Sequence, residues 1–334
     1  MKALVLKEYK KFTYEDVPVP VIAPDEVLVA VKACGICGSD VHGMDGSTGR
    51  RRPPIIMGHE ASGVIAEIGA AVTGWKIGDR VTFDSTIWCG HCGFCPRGQV
   101  NLCNNRRVFG VSCDEYRQHG AFAEFVAVPQ RILYRLPDGL SFEHAALVEP
   151  FSIAFHAVRR TPVNINDTAV VVGAGMIGLA LIQTLRVAGC GRIIAVDIAP
   201  DKLALAAKLG ASGVVSPSDV PGGADLAFEA VGVPATVDLA LRCVRKGGSV
   251  TLVGNVTPKV DLPLQMVVTR ELTLLGSCAS SGEYPACLDM MARGAIQAAP
   301  LLSACAPLSE GAAWFERLYR KEPGLLKVVL RPEQ

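Results

Sequence analysis

The run Ala169-Val170-Val171-Val172-Gly173-Ala174-Gly175-Met176-Ile177-Gly178 stands near the middle of the 334-residue chain. Its small and β-branched apolar residues predict a buried strand, and Met176 opens a helical pattern that continues to residue 188. Three glycines in the spacing G-x-G-x-x-G between a strand and a helix point to a dinucleotide turn. Gly173 permits the sharp turn, Gly175 lets the backbone approach a pyrophosphate, and Gly178 lets the helix pack against the strand. The first turn of the helix, from Met176 and Ile177, then offers its backbone N–H groups to negative charge. The next strand-like run ends on Asp197, nineteen residues after Gly178. An acidic side chain there accepts hydrogen bonds from a ribose 2′-hydroxyl and repels a 2′-phosphate. No arginine follows it, so NAD is the expected dinucleotide.

Downstream of this turn the rhythm holds. Strand-like runs at 193–196, 226–229 and 249–253 alternate with helical runs at 202–209 and 235–244, which predicts a parallel sheet with helices on both faces. Past residue 284 the pattern loosens, and the closing run Leu325-Leu326-Lys327-Val328-Val329-Leu330 reads as a strand returning to the first domain. Upstream of residue 150 the chain is β-rich, with short alternating runs at 27–31, 61–68 and 122–128 between Gly, Pro and Asp turns. The fold class is therefore α/β, a β-rich domain joined to a doubly wound parallel sheet.

All six histidines fall before residue 157, and the β-rich half holds two sets of candidate metal ligands. Cys89, Cys92, Cys95 and Cys103 follow one another with gaps of two, two and seven residues, which lets one loop wrap four thiolates around a tetrahedral zinc ion. Such a site has no open position and is structural. A second set is mixed: Cys37, then Gly58-His59-Glu60, and Glu149 in Leu147-Val148-Glu149-Pro150. Thiolate, imidazole and carboxylate suit zinc and leave a position for water or substrate, with Glu149 either a ligand or a movable carboxylate behind the metal. Zinc is thus expected twice per chain.

Bulk properties narrow the partners. The formal net charge of +1 excludes an extended basic face for nucleic acid. Half the residues are hydrophobic and the mean hydropathy is +0.32, enough for well-packed cores. One apolar stretch, 168–185, approaches membrane-spanning length, but its glycine turn makes it a buried βα unit. Twelve cysteines without a signal-like leader imply a reducing compartment and a cytoplasmic location. Cys113, Cys190, Cys243, Cys278, Cys287 and Cys305 belong to neither metal set; packed free thiols are the expected fate and a disulfide sensor the rival one.

Taken together, these motifs resemble the zinc-containing medium-chain alcohol dehydrogenases from about Lys2 to the C terminus, with Gly78-Asp79-Arg80-Val81 adding to the match. Glu60 and the Glu149-Pro150 pair resemble the polyol (sorbitol-like) dehydrogenase branch. The resemblance implies a GroES-like catalytic domain from residues 1–150 and 285–334 enclosing a Rossmann domain at 151–284. It implies catalytic zinc on Cys37, His59 and Glu60 with Glu149 nearby, and hydride transfer between NAD and a secondary hydroxyl of a polyol or sugar alcohol, giving a ketose. Ser39 and His42, or alternatively Glu149, would carry the proton, and backbone near Val231, Val253 and Ser277 would hold nicotinamide. Homodimers or homotetramers are the family's habit. The chain departs from the sorbitol pattern where an Arg-Tyr pair is expected and Leu275-Gly276-Ser277-Cys278-Ala279-Ser280-Ser281 stands instead. A different or phosphorylated sugar alcohol is therefore open; Arg50-Arg51-Arg52 reads as a solvated loop stiffened by Pro53-Pro54, with a bidentate phosphate grip as the rival reading. A threonine-type amino-alcohol dehydrogenase is the rival enzyme, against which Ser39 weighs mildly. A non-catalytic protein on the same fold would be expected to have lost ligands or glycines, and neither is lost.

Overall fold

The computed structural model describes residues 1–112 and 117–332, and every count below refers to those residues. By contacts the chain forms two compact units: Met1–Glu149 with Tyr284–Arg293 and Ala298–Gln334, and Pro150–Glu283 with Gly294–Gln297. The sequence assigns all of 285–334 to the first domain, whereas the short return 294–297 packs with the second. Gln183 is the reason: its Nε2 donates to Gln297 O at 3.2 Å and its Oε1 accepts from Gln297 N at 2.7 Å.

The second unit carries a six-stranded parallel sheet. In chain order its strands are Thr168–Val172, Arg192–Val196, Gly213–Val215, Ala224–Glu229, Val244–Leu252 and Thr273–Gly276. In the sheet, the third, second and first of these lie to one side of a switch point and the fourth, fifth and sixth to the other. The order 3-2-1-4-5-6 is that of a Rossmann sheet, and the reversal between Thr168–Val172 and Ala224–Glu229 is where such folds bind ligands. Val170, Val172, Ile194, Val196, Ala227 and Val250 fill its core against the helix Pro234–Cys243. The two outer strands, of three and four residues, are too short to carry a period and are not among those expected from sequence.

In the first unit a seven-stranded sheet is centred on the long strand Glu26–Gly35, with Glu60–Ile68 and Phe125–Pro129 antiparallel beside it. The closing strand Lys327–Arg331 pairs with its far end, Val329 opposite Gly35 and Leu330 opposite Cys34. The end of the chain is thus built into the same sheet as the segments that carry Cys37 and Glu60. Val27, Val29, Val31, Ile65, Val81, Phe122, Val328 and Leu330 share one core. No helix among the described residues is long and apolar enough to cross a membrane.

Candidate active site

Cys37 ends the loop after the central strand and caps the short helix Gly38–Gly43, its sulfur accepting from Ser39 N. Glu60 opens the strand Glu60–Ile68 directly opposite Gly35. A Cβ at Gly35 would lie 2.3 Å from Glu60 Oε2, so the absence of a side chain there makes room for the carboxylate. His59 precedes it. One donor atom from each of Cys37, His59 and Glu60 falls within 4.8 Å of the others. Glu149 lies outside that tight group, although it is buried and its charge is felt by the same residues. Ser85 Oγ donates to Glu149 Oε1 at 3.2 Å.

Three further charged residues complete the site, two of which, Lys327 and Asp40, the sequence does not single out. Lys327, from the closing strand, is 2 % exposed and donates to Glu60 Oε1 at 2.8 Å, to Oε2 at 2.7 Å and to Ile36 O at 3.1 Å. Asp40, fully buried, accepts from Arg51 Nη2 at 2.8 Å and Nε at 3.1 Å and lies 3.6 Å from His59 Nδ1. Arg51 also donates to Ser39 Oγ at 3.2 Å. The reading of Arg50-Arg51-Arg52 as a solvated loop is corrected for Arg51, which is 3 % exposed and committed to Asp40, whereas Arg50 and Arg52 face solvent.

These groups fit a divalent cation. Burial pushes the Cys37 thiol up to about 11 and the Glu149 carboxyl up to about 8, with Glu60 adding repulsion in both cases. Were Cys37, Asp40, Glu60 and Glu149 all ionised, four negative charges would face Lys327 and Arg51, an excess of two, which protonation of Cys37 and Glu149 relieves in the metal-free site and a divalent cation would relieve by coordination. His59 Nδ1 is likewise buried without a hydrogen-bond partner. Lys327 is held above its usual value: burial alone would lower it, but Glu60 and Cys37 outweigh that.

The cysteine lobe forms on its own segment. One sulfur from each of Cys89, Cys92, Cys95 and Cys103 lies within 4.8 Å of the rest, and the Cys92 and Cys95 sulfurs are 3.5 Å apart. Backbone N–H groups aimed at sulfur, that of His91 foremost, bring Cys89 down to about 5, while burial and the neighbouring thiols push Cys95 up to about 12. Four crowded sulfurs cannot all ionise without a metal, and this donor set is that of structural zinc. None of the cysteines among the described residues is bridged to another, and Cys113 lies outside them.

In the second unit the glycine turn sits at the switch point. Gly173 has φ +97 and packs so closely that a Cβ would come 2.4 Å from Val231 Cγ2; a Cβ on Gly178 would strike Gly173 O. Gly175 is different. Its φ is −76, and a Cβ there would meet nothing within 4 Å. Gly175 is thus unexplained by the chain's own packing, as expected if an external group fills that space. The helix Met176–Val187 begins there with no side chain capping its N–H groups, the arrangement that receives a pyrophosphate. Asp197 is half-buried; its Oδ2 accepts from Ala174 N at 2.8 Å and its Oδ1 from Ala199 N at 2.9 Å, so it braces the turn. Val231 N and Gly232 N donate to the buried Glu229 Oε1 at 2.9 and 2.7 Å, which shapes the adjoining strand end. Val253 and Ser277 close the next two strand ends, linked through Ser277 N and Leu252 O at 2.9 Å. Ser39 and His42 are exposed, three residues apart on the short helix.

Comparison with known proteins agrees with this geometry. Residues 23–138 match the alcohol dehydrogenase GroES-like domain and residues 177–293 the zinc-binding dehydrogenase domain. The chain is 33% identical over 349 aligned positions to sorbitol dehydrogenase from Bacillus subtilis, covering 100% of this chain and 98% of that one. Among solved structures, 2R,3R-butanediol dehydrogenase from Bacillus subtilis superposes with TM-score 0.89 at 32% identity over 99% of both chains. Galactitol-1-phosphate dehydrogenase from Escherichia coli superposes with TM-score 0.91 at 28% identity, over 99% of this chain and 100% of that one.

Proposed function

Because the chain belongs to the zinc-binding alcohol dehydrogenase family, we propose that it is an NAD-dependent polyol dehydrogenase acting on a secondary hydroxyl of a sugar alcohol to give a ketose. The observation that carries this reading is the cluster of Cys37, His59 and Glu60, a carboxylate completing the set, in a chain whose relatives include enzymes named for sorbitol and galactitol-1-phosphate. Cys37, His59 and Glu60 would hold catalytic zinc, with Glu149 as the carboxylate in reserve, and the four-cysteine lobe would hold structural zinc. When bound, the metal supplies Lewis-acid polarisation of a substrate oxygen and NAD supplies the hydride acceptor.

The remaining steps fall to side chains. Arg51 fixes Asp40, whose Oδ1 lies 3.6 Å from His59 Nδ1, and Arg51 and Cys37 hold Ser39 Oγ between them at 3.2 and 3.3 Å. Ser39 and His42, both exposed on the short helix Gly38–Gly43, are the first candidates to carry away the proton released from the hydroxyl. Glu149 is the alternative acceptor, a buried carboxyl that takes a hydrogen bond from Ser85 Oγ. Asp197 selects NAD through the ribose hydroxyls. A non-phosphorylated substrate is favoured, because Arg51 is spent on Asp40. The unbridged cysteines fit a cytoplasmic enzyme, and the family's habit suggests a homodimer or homotetramer.

The test is NADH formation, followed at 340 nm, over polyols, polyol phosphates, short diols and threonine, with NAD or NADP, before and after chelation. Chelator-sensitive, NAD-dependent oxidation of one sugar alcohol supports the proposal. Preference for a diol or threonine over every sugar alcohol would sink the substrate class.

A further inference from the structure

The loop 277–282 leaves the carboxyl end of the sixth sheet strand, the end where the glycine turn and Val231 also lie. It is not a relaxed segment. Ala279 sits at φ +52, a left-handed conformation that a residue with a Cβ holds only when its surroundings compel it. Those surroundings come largely from one helix, Val148–Arg160. At the start of the loop, Arg160 Nε donates to Gly276 O at 2.9 Å. At its end, Glu283 Oε1 receives His156 Nδ1 at 2.9 Å and Arg159 Nη1 at 3.0 Å. The other oxygen of Glu283 accepts from Ser281 N, inside the loop itself. An ionised carboxylate only accepts, so the imidazole must carry its proton on Nδ1.

Glu283 is 1 % exposed. Burial works to raise its pKa, yet His156, Ser281 and Arg159 outweigh burial and hold the carboxyl below its usual value, so it stays charged at neutral pH. What this clamp presents is Ser277. Its Oγ is buried and has no hydrogen-bond partner, a donor and acceptor kept dry at the ligand-binding end of the sheet.

We propose that Glu283 is a positioning residue for the nicotinamide half of the dinucleotide, clamping the loop so that Ser277 meets the cofactor in a fixed orientation. The inference rests on the reading of this unit as the NAD site. His156 and Arg159 act through Glu283, and Arg160 secures the opposite end of the same loop. Because the loop is already ordered, binding NAD does not have to order it.

The experiment compares wild type, Glu283→Gln and Arg160→Met by calorimetric titration with NADH, by KM and kcat, and by thermal unfolding. Glu283→Gln keeps the shape and removes the charge, and NADH dissociation constant and KM for NAD should each rise about tenfold, as for loss of a charge-assisted contact. The exposed Arg160→Met carries little folding risk and should raise both by roughly threefold. kcat at saturating NAD should change less than KM in both variants. NADH binding within twofold of wild type in both variants overturns the proposal, whether or not the melting temperature falls. Gly175→Ala separates the two levels: if it weakens NADH and Glu283→Gln does not, only the positioning role fails. If neither weakens NADH, the cofactor reading fails with it.

Discussion

Lys327→Met is the most demanding test of the catalytic unit. In the wild type Lys327 Nζ lies 2.8 and 2.7 Å from the two oxygens of Glu60, with the side chains 2 % and 1 % exposed. Removing one partner of such a pair strands a buried charge, at a cost of about 3–5 kcal/mol. The cost has a ceiling, because a stranded carboxylate can take up a proton. For a glutamate with an ordinary value near 4.3, protonation at pH 7 costs about 3.7 kcal/mol, so the zinc-free variant should lose about 3–4 kcal/mol there. The sign of the pH dependence follows. A carboxyl whose folded value is raised above its unfolded value binds more protons in the folded state, so the variant's deficit grows with pH. At pH 5 the same ceiling is only about 1 kcal/mol. Zinc changes the balance again, since the metal offers Glu60 a second partner, and the loss in the zinc-loaded protein should be smaller. Urea unfolding followed by tryptophan fluorescence suits the measurement, because Trp75, Trp88 and Trp314 all belong to the first unit. A loss under about 1 kcal/mol at pH 7, or one equal at pH 5 and pH 7, would refute the buried-pair argument. A loss unaffected by zinc would refute Glu60 as a ligand.

Three further outcomes are expected. Gly175→Ala should leave thermal unfolding within error, since its φ of −76 suits alanine and nothing lies within 4 Å, yet weaken NADH by tenfold or more in titration; intact binding would mean no dinucleotide approaches that backbone. Asp197→Asn keeps an acceptor for Ala174 N or Ala199 N while removing the charge, so the ratio of kcat/KM for NADP to that for NAD should rise, and an unchanged ratio would remove its ribose role. Cys95→Ser should lower the zinc content per chain by one equivalent and reduce thermal stability, whereas full zinc content would show that the lobe is not a metal site.

What was legible in the sequence divides by distance along the chain. The glycine turn and the four-cysteine lobe are each written within one short segment, so spacing alone carries their geometry. Cys37, His59 and Glu60 were legible as donor types, because thiolate, imidazole and carboxylate have few other reasons to occur together. Lys327 was not, since it stands 267 residues from Glu60 and reads as one cation in a strand-like closing run. Only the antiparallel pairing of that run with the strand Glu26–Gly35 carries it to the candidate metal ligands. Arg51 misled for the opposite reason. A run of three arginines before two prolines looks solvated, and nothing local announces that Asp40, eleven residues earlier, takes the middle one into the interior. The loop clamp lies between these cases: His156 and Glu283 are 127 residues apart, yet a glutamate at the end of a polar loop and a His-x-x-Arg-Arg helix end are each visible. What the sequence lacks is the register that joins them. Single segments can therefore be read for the ion or cofactor they hold, while the residues that balance charge or hold a loop emerge only once the sheet is closed.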